Sequence, residues 1–156
     1  MKHEELTAVD FLIRLGVAAL LGIAIGFERQ WRQRAAGLHT SSLVAIGSAM
    51  FALLDETLGA GDTTRIVAGI VTGVGFIAGG AILRSGANVT GLNTAATMWA
   101  TAAVGALAAF GYYRQAAAGA AAIIILNLAV EPLIRSIDTR VQRDLAKRTP
   151  PSGDSG

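Results

Sequence analysis

Residues 66–83 and 92–111 contain no Asp, Glu, Lys or Arg, so one short chain carries uninterrupted charge-free runs of 18 and 20 residues. A bilayer core about 30 Å thick is crossed by a helix of about 20 apolar residues, and runs of this length set the class before any motif does. Three further apolar runs, at 11–27, 41–58 and 116–134, bring the expected number of spanning helices to five. The run at 41–58 is the weakest, because its clean part stops at Leu54 ahead of Asp55 and Glu56. Over the 156 residues 53% are hydrophobic and only 15% charged. Were these helices soluble, nearly all would be apolar on every side, with too little polar surface left to cover them. The predicted fold is all-α, an integral membrane bundle of five transmembrane helices.

Five spans place the termini on opposite sides. One side collects Arg29, Arg32, Arg34, Arg84, Arg135, Arg140, Arg143, Lys147 and Arg148, and the other Lys2, Arg14, Arg65 and Arg114, which accounts for all 13 basic residues. The positive-inside rule makes the richer side cytoplasmic, with the N-terminus outside and the C-terminus inside. The net charge of +2 then reflects topology and contact with anionic lipid, and nucleic acid is not an expected partner. No small-residue cleavage site closes the first apolar run, so that span is expected to be retained. Residues 1–135 form the predicted five-span domain. Ile134, Ile137, Val141 and Leu145 recur at helical spacing among basic residues, which predicts a basic amphipathic cytoplasmic helix over 136–148, lying on the inner leaflet or against a second subunit. Residues 149–156, rich in Pro, Ser and Gly, are expected to be disordered.

The absence of Cys excludes disulfides, thiolate metal sites and cysteine catalysis, and two His leave no zinc constellation. No nucleophile and base pair is visible, so the chain is not expected to be an enzyme. Gly73-Val74-Gly75 resembles a nucleotide fingerprint only superficially, since it sits inside an apolar span and opens no βαβ unit.

Chemistry is sought at the charged elbow between the first two spans, Gly26-Phe27-Glu28-Arg29-Gln30-Trp31, running on to Ala36-Gly37-Leu38-His39-Thr40. Small residues recur at four-residue spacing in Gly22 and Gly26, Gly69 and Gly73, and Gly75 and Gly79. In lipid such faces allow close backbone approach, and a packing role is the default for each. Trp31, Phe110, Tyr112 and Tyr113 fall at predicted interfaces as anchors. Asp10 and Arg14, four residues apart, are expected to neutralise each other near the outer end of the first span.

Gly37-Leu38-His39-Thr40 is echoed 54 residues later by Gly91-Leu92-Asn93-Thr94, each opening a span after a cytoplasmic loop, while Gly26-Phe27 and Gly75-Phe76 lie near the ends of the preceding runs. The first four spans are read as two hairpins of one orientation followed by a lone helix, an arrangement of parallel repeats found in transporters. Two helix N-termini then lie side by side, capped by Thr40 or Ser41 and by Thr94. With Arg29, His39 and Arg84 nearby, the pocket suits a carboxylate, phosphate or lipid headgroup, with Glu28 pairing to Arg84 or capping one helix. The plainer reading is that the Thr residues only cap helices and the Arg residues only set topology. For magnesium, which takes about six oxygens and keeps several waters, the spans offer Glu28 and Glu131, of which Glu28 is the candidate ligand.

In these residues the chain resembles the MgtC/SapB family of bacterial inner-membrane proteins. The resemblance rests on Gly26-Phe27-Glu28-Arg29-Gln30, Ala36-Gly37-Leu38-His39-Thr40, Gly73-Val74-Gly75-Phe76 with Gly80 and Arg84, and Gly91-Leu92-Asn93-Thr94-Ala95-Ala96-Thr97 with Trp99 and Gly105. It implies a role in magnesium homeostasis or adaptation to low magnesium and in survival inside host cells. Magnesium transport is one mode it implies, with magnesium as ligand or substrate and no other cofactor. The alternative is a non-transporting regulator of another membrane complex such as the ATP synthase, and a homo-oligomer is expected. The functional centre carried over is Glu28, Arg29, Gly37, Leu38, His39, Thr40, Gly75, Phe76, Arg84, Gly91, Leu92, Asn93, Thr94 and Trp99. His39 departs from the Arg usual in the family, which weakens an anion site there. Ala78-Gly79 reverses the usual order of small residues. Many members continue into a cytoplasmic ACT-like domain, whereas this sequence runs only about 20 residues past the fifth span, so regulation through that domain is not carried over.

Overall fold

The structure, a computed structural model, describes residues 6–59, 61–85 and 88–148, with the side chains of 85, 88 and 131–148 outside that description. Five helices run in order, α1 (Ala8–Trp31), α2 (Leu38–Leu58), α3 (Thr63–Gly79), α4 (Leu92–Ala109) and α5 (Tyr113–Arg148). A small antiparallel hairpin, β1 (Leu83–Ser85) and β2 (Asn88–Thr90), sits between α3 and α4 and pairs Leu83 with Thr90 and Arg84 with Val89. The protein is an all-α helical membrane bundle.

The side-chain distribution is that of a protein built for lipid. Along α1 the residues turned inward are Ala18, Gly22, Ile25, Gly26 and Arg29, at helical spacing. Val9, Leu12, Ile13, Leu20, Ile23 and Phe27 of the same helix are exposed. Large apolar groups point out and small ones point in, because a hydrocarbon solvent removes the advantage of burying Leu and leaves close backbone packing as the source of cohesion. Alanine dominates the core accordingly, with Ala18, Ala45, Ala49, Ala52, Ala108 and Ala109 fully buried.

Ala45 is the meeting point of three helices. A β-carbon on Gly22 of α1 would lie 2.8 Å from the Ala45 β-carbon and 2.9 Å from the Ser41 carbonyl oxygen, and one on Gly105 of α4 would overlap the Ala45 carbonyl. One turn along, a β-carbon on Gly26 would lie 2.7 Å from the Leu38 α-carbon. The Gly22 and Gly26 face predicted for close approach therefore presses on the start of α2. The other two glycine pairs do not behave this way, since β-carbons on Gly69, Gly73, Gly75 or Gly79 would meet nothing within 4 Å. Between α2 and α3 lies instead an apolar groove of about 630 Å³, lined by residues that include Thr40, Gly47, Phe51, Arg65, Gly69, Gly73 and Met98.

Several span boundaries differ from those read in the sequence. By length and composition α1, α2 and the segment Tyr113–Val130 of α5 are the helices suited to crossing a membrane, while α3 is a shorter apolar helix of 17 residues. The second span gains length by starting at Leu38, ahead of the expected residue 41. The third loses it, because the Gly79-Gly80 pair ends the helix and Leu83, expected inside the span, lies in β1. Arg14 pairs with Glu56 of α2 at 2.6 Å and donates to the Ala109 carbonyl at the end of α4 at 3.0 Å. Asp10 instead accepts from the Thr7 hydroxyl at 2.5 Å, so the expected Asp10–Arg14 pairing is replaced by a tie between three helices.

The chain divides into two compact units, Met1–Ile123 and Ile124–Gly156. The first holds α1 to α4 and the start of α5, where Ala116 and Ala120 are buried and Gly119 faces Val104. In the second, α5 continues through Pro132 to Arg148, with Ile125, Leu126 and Leu128 exposed. The basic amphipathic helix expected over 136–148 is helical, but its side chains lie outside the described residues, as does all of 149–156.

Candidate functional site

The charged elbow folds into a short turn, residues 32–37, that holds the end of α1 against the beginnings of α2 and α4. Its tightness is set by backbone bonds from Arg32 to the Glu28 carbonyl, from Gln33 to Gln30 and from Arg34 to Arg29, at 3.2, 3.0 and 2.9 Å. Gln33 and Ala36 take left-handed backbone angles, φ 54° and 55°, which few non-glycine residues adopt.

Arg29 is the centre of this end of the molecule. It is only 1% exposed, yet it belongs to a helix whose opposite face meets lipid. Its Nη2 donates to the Thr94 hydroxyl at 2.7 Å and to the Ala35 carbonyl at 2.9 Å. One guanidinium thus fastens α1, the α1–α2 turn and the first turn of α4. Its Nε has no hydrogen-bond partner among the described residues. An arginine in such a place costs enough desolvation that it persists only where its bonds define the structure or its charge is used.

Both Gly-Leu-x-Thr segments begin helices in the same way, but their threonines are not caps. The N-cap of α2 is Gly37 and that of α4 is Gly91, neither with a side-chain cap bond, so Thr40 and Thr94 stand in the first helical turn. The capping expected of Thr40, Ser41 and Thr94 is corrected on this ground. Glycine lets another segment approach each start closely, and at Gly91 it is required. A β-carbon on Gly37 would lie 2.8 Å from the Gln30 Oε1, and one on Gly91, whose φ is +88°, would overlap the Ala81 carbonyl. For α2 the missing cap is supplied from the neighbouring helix, where Gln30 Oε1 accepts the Leu38 amide at 3.2 Å. Ser41, buried to 1% exposure, donates to the Ala36 carbonyl at 3.2 Å and satisfies the strained end of the turn.

Glu28, expected to pair with Arg84 or to cap a helix, has an ion pair with Arg32 one helical turn on, at 4.0 Å. Its side chain is only 9% exposed. Leu38 sits against Gly26, and Thr40 lines the groove beside α3. His39, Leu92, Asn93 and Trp99 are exposed. Phe76, 86% exposed, and Gly75 lie on the open side of α3, and Arg84 is exposed on β1. Arg29, Gly37, Leu38, Gly91 and Thr94 are therefore gathered into one packed latch, with Glu28 largely buried beside the turn, Thr40 in the groove and the remaining residues exposed. Below it Ala78, Ala95 and Met98 form an apolar cluster with Ala36, Val44 and Ala81, which draws the end of α3 to the start of α4. Among the described residues no group of three or more His, Asp or Glu is placed to hold a metal ion, so the geometry does not extend Glu28 into a coordination shell.

Sequence reasoning identified Arg29 and Thr94 but not their bond, and it missed Gln30 and Ser41 as the residues that satisfy the turn. The signal for Gln30 was its place one turn before a helix start without a Ser, Thr, Asp or Asn at the cap.

Fold and site together define an α-helical integral membrane protein whose two glycine-started helices are locked by a buried arginine. Residues 15–136 match the sequence model of the MgtC family, and the chain belongs to that family. It is 51% identical over 125 residues to an uncharacterized protein of Synechocystis sp., covering 80% of this chain and 53% of that one. It is 43% identical over 136 residues to Protein MgtC of Salmonella typhimurium, covering 87% and 59% respectively. Protein MgtC of Brucella abortus is 47% identical over 131 residues, covering 83% and 55%. The matched region spans between about half and three-fifths of these relatives. No solved structure matches the chain.

Proposed function

We propose that the protein acts in magnesium homeostasis, or in adaptation to low magnesium, by binding another membrane complex and not by conducting the ion. The observation that carries this reading is the sign of the charge sealed at the motif end. Arg29 is the fully buried charged residue there, and a fixed guanidinium repels a divalent cation. Membership of the MgtC family supports the link to magnesium. In this reading the protein is a non-enzymatic, multi-pass component of the bacterial inner membrane. Its N-terminus is outside, its C-terminus is cytoplasmic and it assembles as a homo-oligomer, with no cofactor. The exposed residues His39, Leu92, Asn93 and Trp99 are the surface offered to the partner. The ATP synthase is the complex that the family resemblance implies.

A second reading, magnesium transport, is favoured by Glu28, a carboxylate with a largely buried side chain beside the turn. The two are separated by magnesium flux into proteoliposomes holding the purified protein, with Glu28→Gln in parallel. Absence of flux from folded protein that still restores growth in low magnesium supports the regulator. Saturable flux that disappears in Glu28→Gln establishes transport and overturns it.

A further inference from the structure

The groove between α2 and α3 has a glycine floor that the described residues lining it leave bare. β-Carbons on Gly47, Gly69 or Gly73 would meet nothing within 4 Å, although all three line it. Glycine costs about 0.5–1 kcal/mol in a helix interior relative to alanine, and here no neighbour among the described residues requires it. In the hydrocarbon of a bilayer such a groove does not stay empty, and its nearly uniform apolar wall selects what fills it.

Length and charge narrow the occupant further. The lining runs from Thr40 to Phe51 on α2 and from Arg65 to Ile77 on α3. At a rise of about 1.5 Å per residue each stretch is about 17–18 Å long. That is well short of a hydrocarbon core about 30 Å thick, too short to hold a full spanning helix but of a length that an acyl chain can fill. Arg65 is the charged residue among those lining the groove, and it stands at one end, next to the first turn of α3. Its side chain is 86% exposed and reaches Asp62 at 3.4 Å, so the guanidinium is held at the mouth.

We propose that the groove binds one acyl chain of an anionic phospholipid, with the lipid phosphate at Arg65 and the chain lying over Gly69 and Gly73. Glycine on α3 then makes room for hydrocarbon, whereas glycine on α1 makes room for another helix. The phosphate end of the site, at Arg65, lies at the opposite end of α2 and α3 from the Arg29 latch, and the lipid is a structural ligand separate from the activity proposed above.

The test is native mass spectrometry of the delipidated protein in mild detergent, titrated with dioleoyl phosphatidylglycerol and, separately, with dioleoylglycerol, which has no phosphate. Wild type retains a single phosphatidylglycerol per chain. Gly69→Leu and Gly73→Leu fold normally, since the new side chains enter open space, and weaken that binding by about tenfold or more. Arg65→Gln lowers the affinity for phosphatidylglycerol several-fold without changing that for dioleoylglycerol. Gly16→Leu, equally open but on α1 away from the groove, leaves both unchanged. Undiminished phosphatidylglycerol binding by Gly69→Leu and Gly73→Leu would overturn the proposal. So would conversion of a dimer to a monomer by these variants, which would make the occupant a second copy of the chain.

Discussion

The hairpins α1–α2 and α3–α4 use the same residues to opposite ends. Each has glycines at four-residue spacing in its first helix and a Gly-Leu-x-Thr start to its second. In α1 the glycines are consumed by contact, as Gly22 meets Ala45 and Gly26 meets Leu38. In α3 all four paired glycines face open space. A small-residue face therefore encodes permission for close approach and not the identity of what approaches. The partner is decided by the turn that follows. The short turn after α1 folds α2 straight back onto the glycine face, whereas α4 meets the end of α3 through Ala78, Ala95 and Met98 and leaves the α3 glycines uncovered.

The hardest way to break the packed side is Gly105→Val, which drives side-chain atoms into the Ala45 carbonyl where α1, α2 and α4 meet. It is expected to cost more than about 3 kcal/mol, the upper range for overpacking a core, and to be read as failure to accumulate in the membrane fraction. Arg29→Met comes next. It keeps the bulk of the side chain but strands the Thr94 hydroxyl and the Ala35 carbonyl, at an expected cost of about 2 kcal/mol. Thermal unfolding in detergent will show it, and Arg29→Lys, which lacks the forked donors, should recover only part of the loss. The comparison itself is sharpened by one substitution made twice. Gly22→Ala should lower the unfolding midpoint by the equivalent of about 1 kcal/mol, whereas Gly75→Ala should raise it by about 0.5–1 kcal/mol. Equal signs for the pair would mean that α3 is as tightly packed as α1. Smallest is His39→Arg, at an exposed position in the first turn of α2. Complementation of growth in low magnesium should be unchanged, and a loss would show that the imidazole itself is used.

The helical class, the number of helices and most of their positions were legible because hydrocarbon imposes one crude demand, long runs without charge. What the sequence hid were the features that depend on where chains turn. The third span stops at Gly79 although apolar residues continue to Leu83, because two consecutive glycines outweigh hydropathy locally. Thr40 and Thr94 look like caps to any rule based on residue type, yet glycine displaced them, since another segment occupies the space of a β-carbon at both starts, the Gln30 side chain beside Gly37 and the Ala81 carbonyl beside Gly91. In the site, Arg29 and Thr94 were visible as residues, while their bond spans 65 positions and depends on the packing of α1 against α4. The Arg14 tie to Glu56 was hidden for the same reason, since Asp10 was nearer in sequence.

The shortness of α3 reaches beyond the protein. At 17 residues it is about 25 Å long, several ångströms less than a typical hydrocarbon core. Lipid in contact with it must compress or tilt to follow it, at a fraction of a kcal/mol per ångström. A helix this short is matched by local thinning of the bilayer beside it, and membrane thickness is therefore a variable to which this protein is expected to respond.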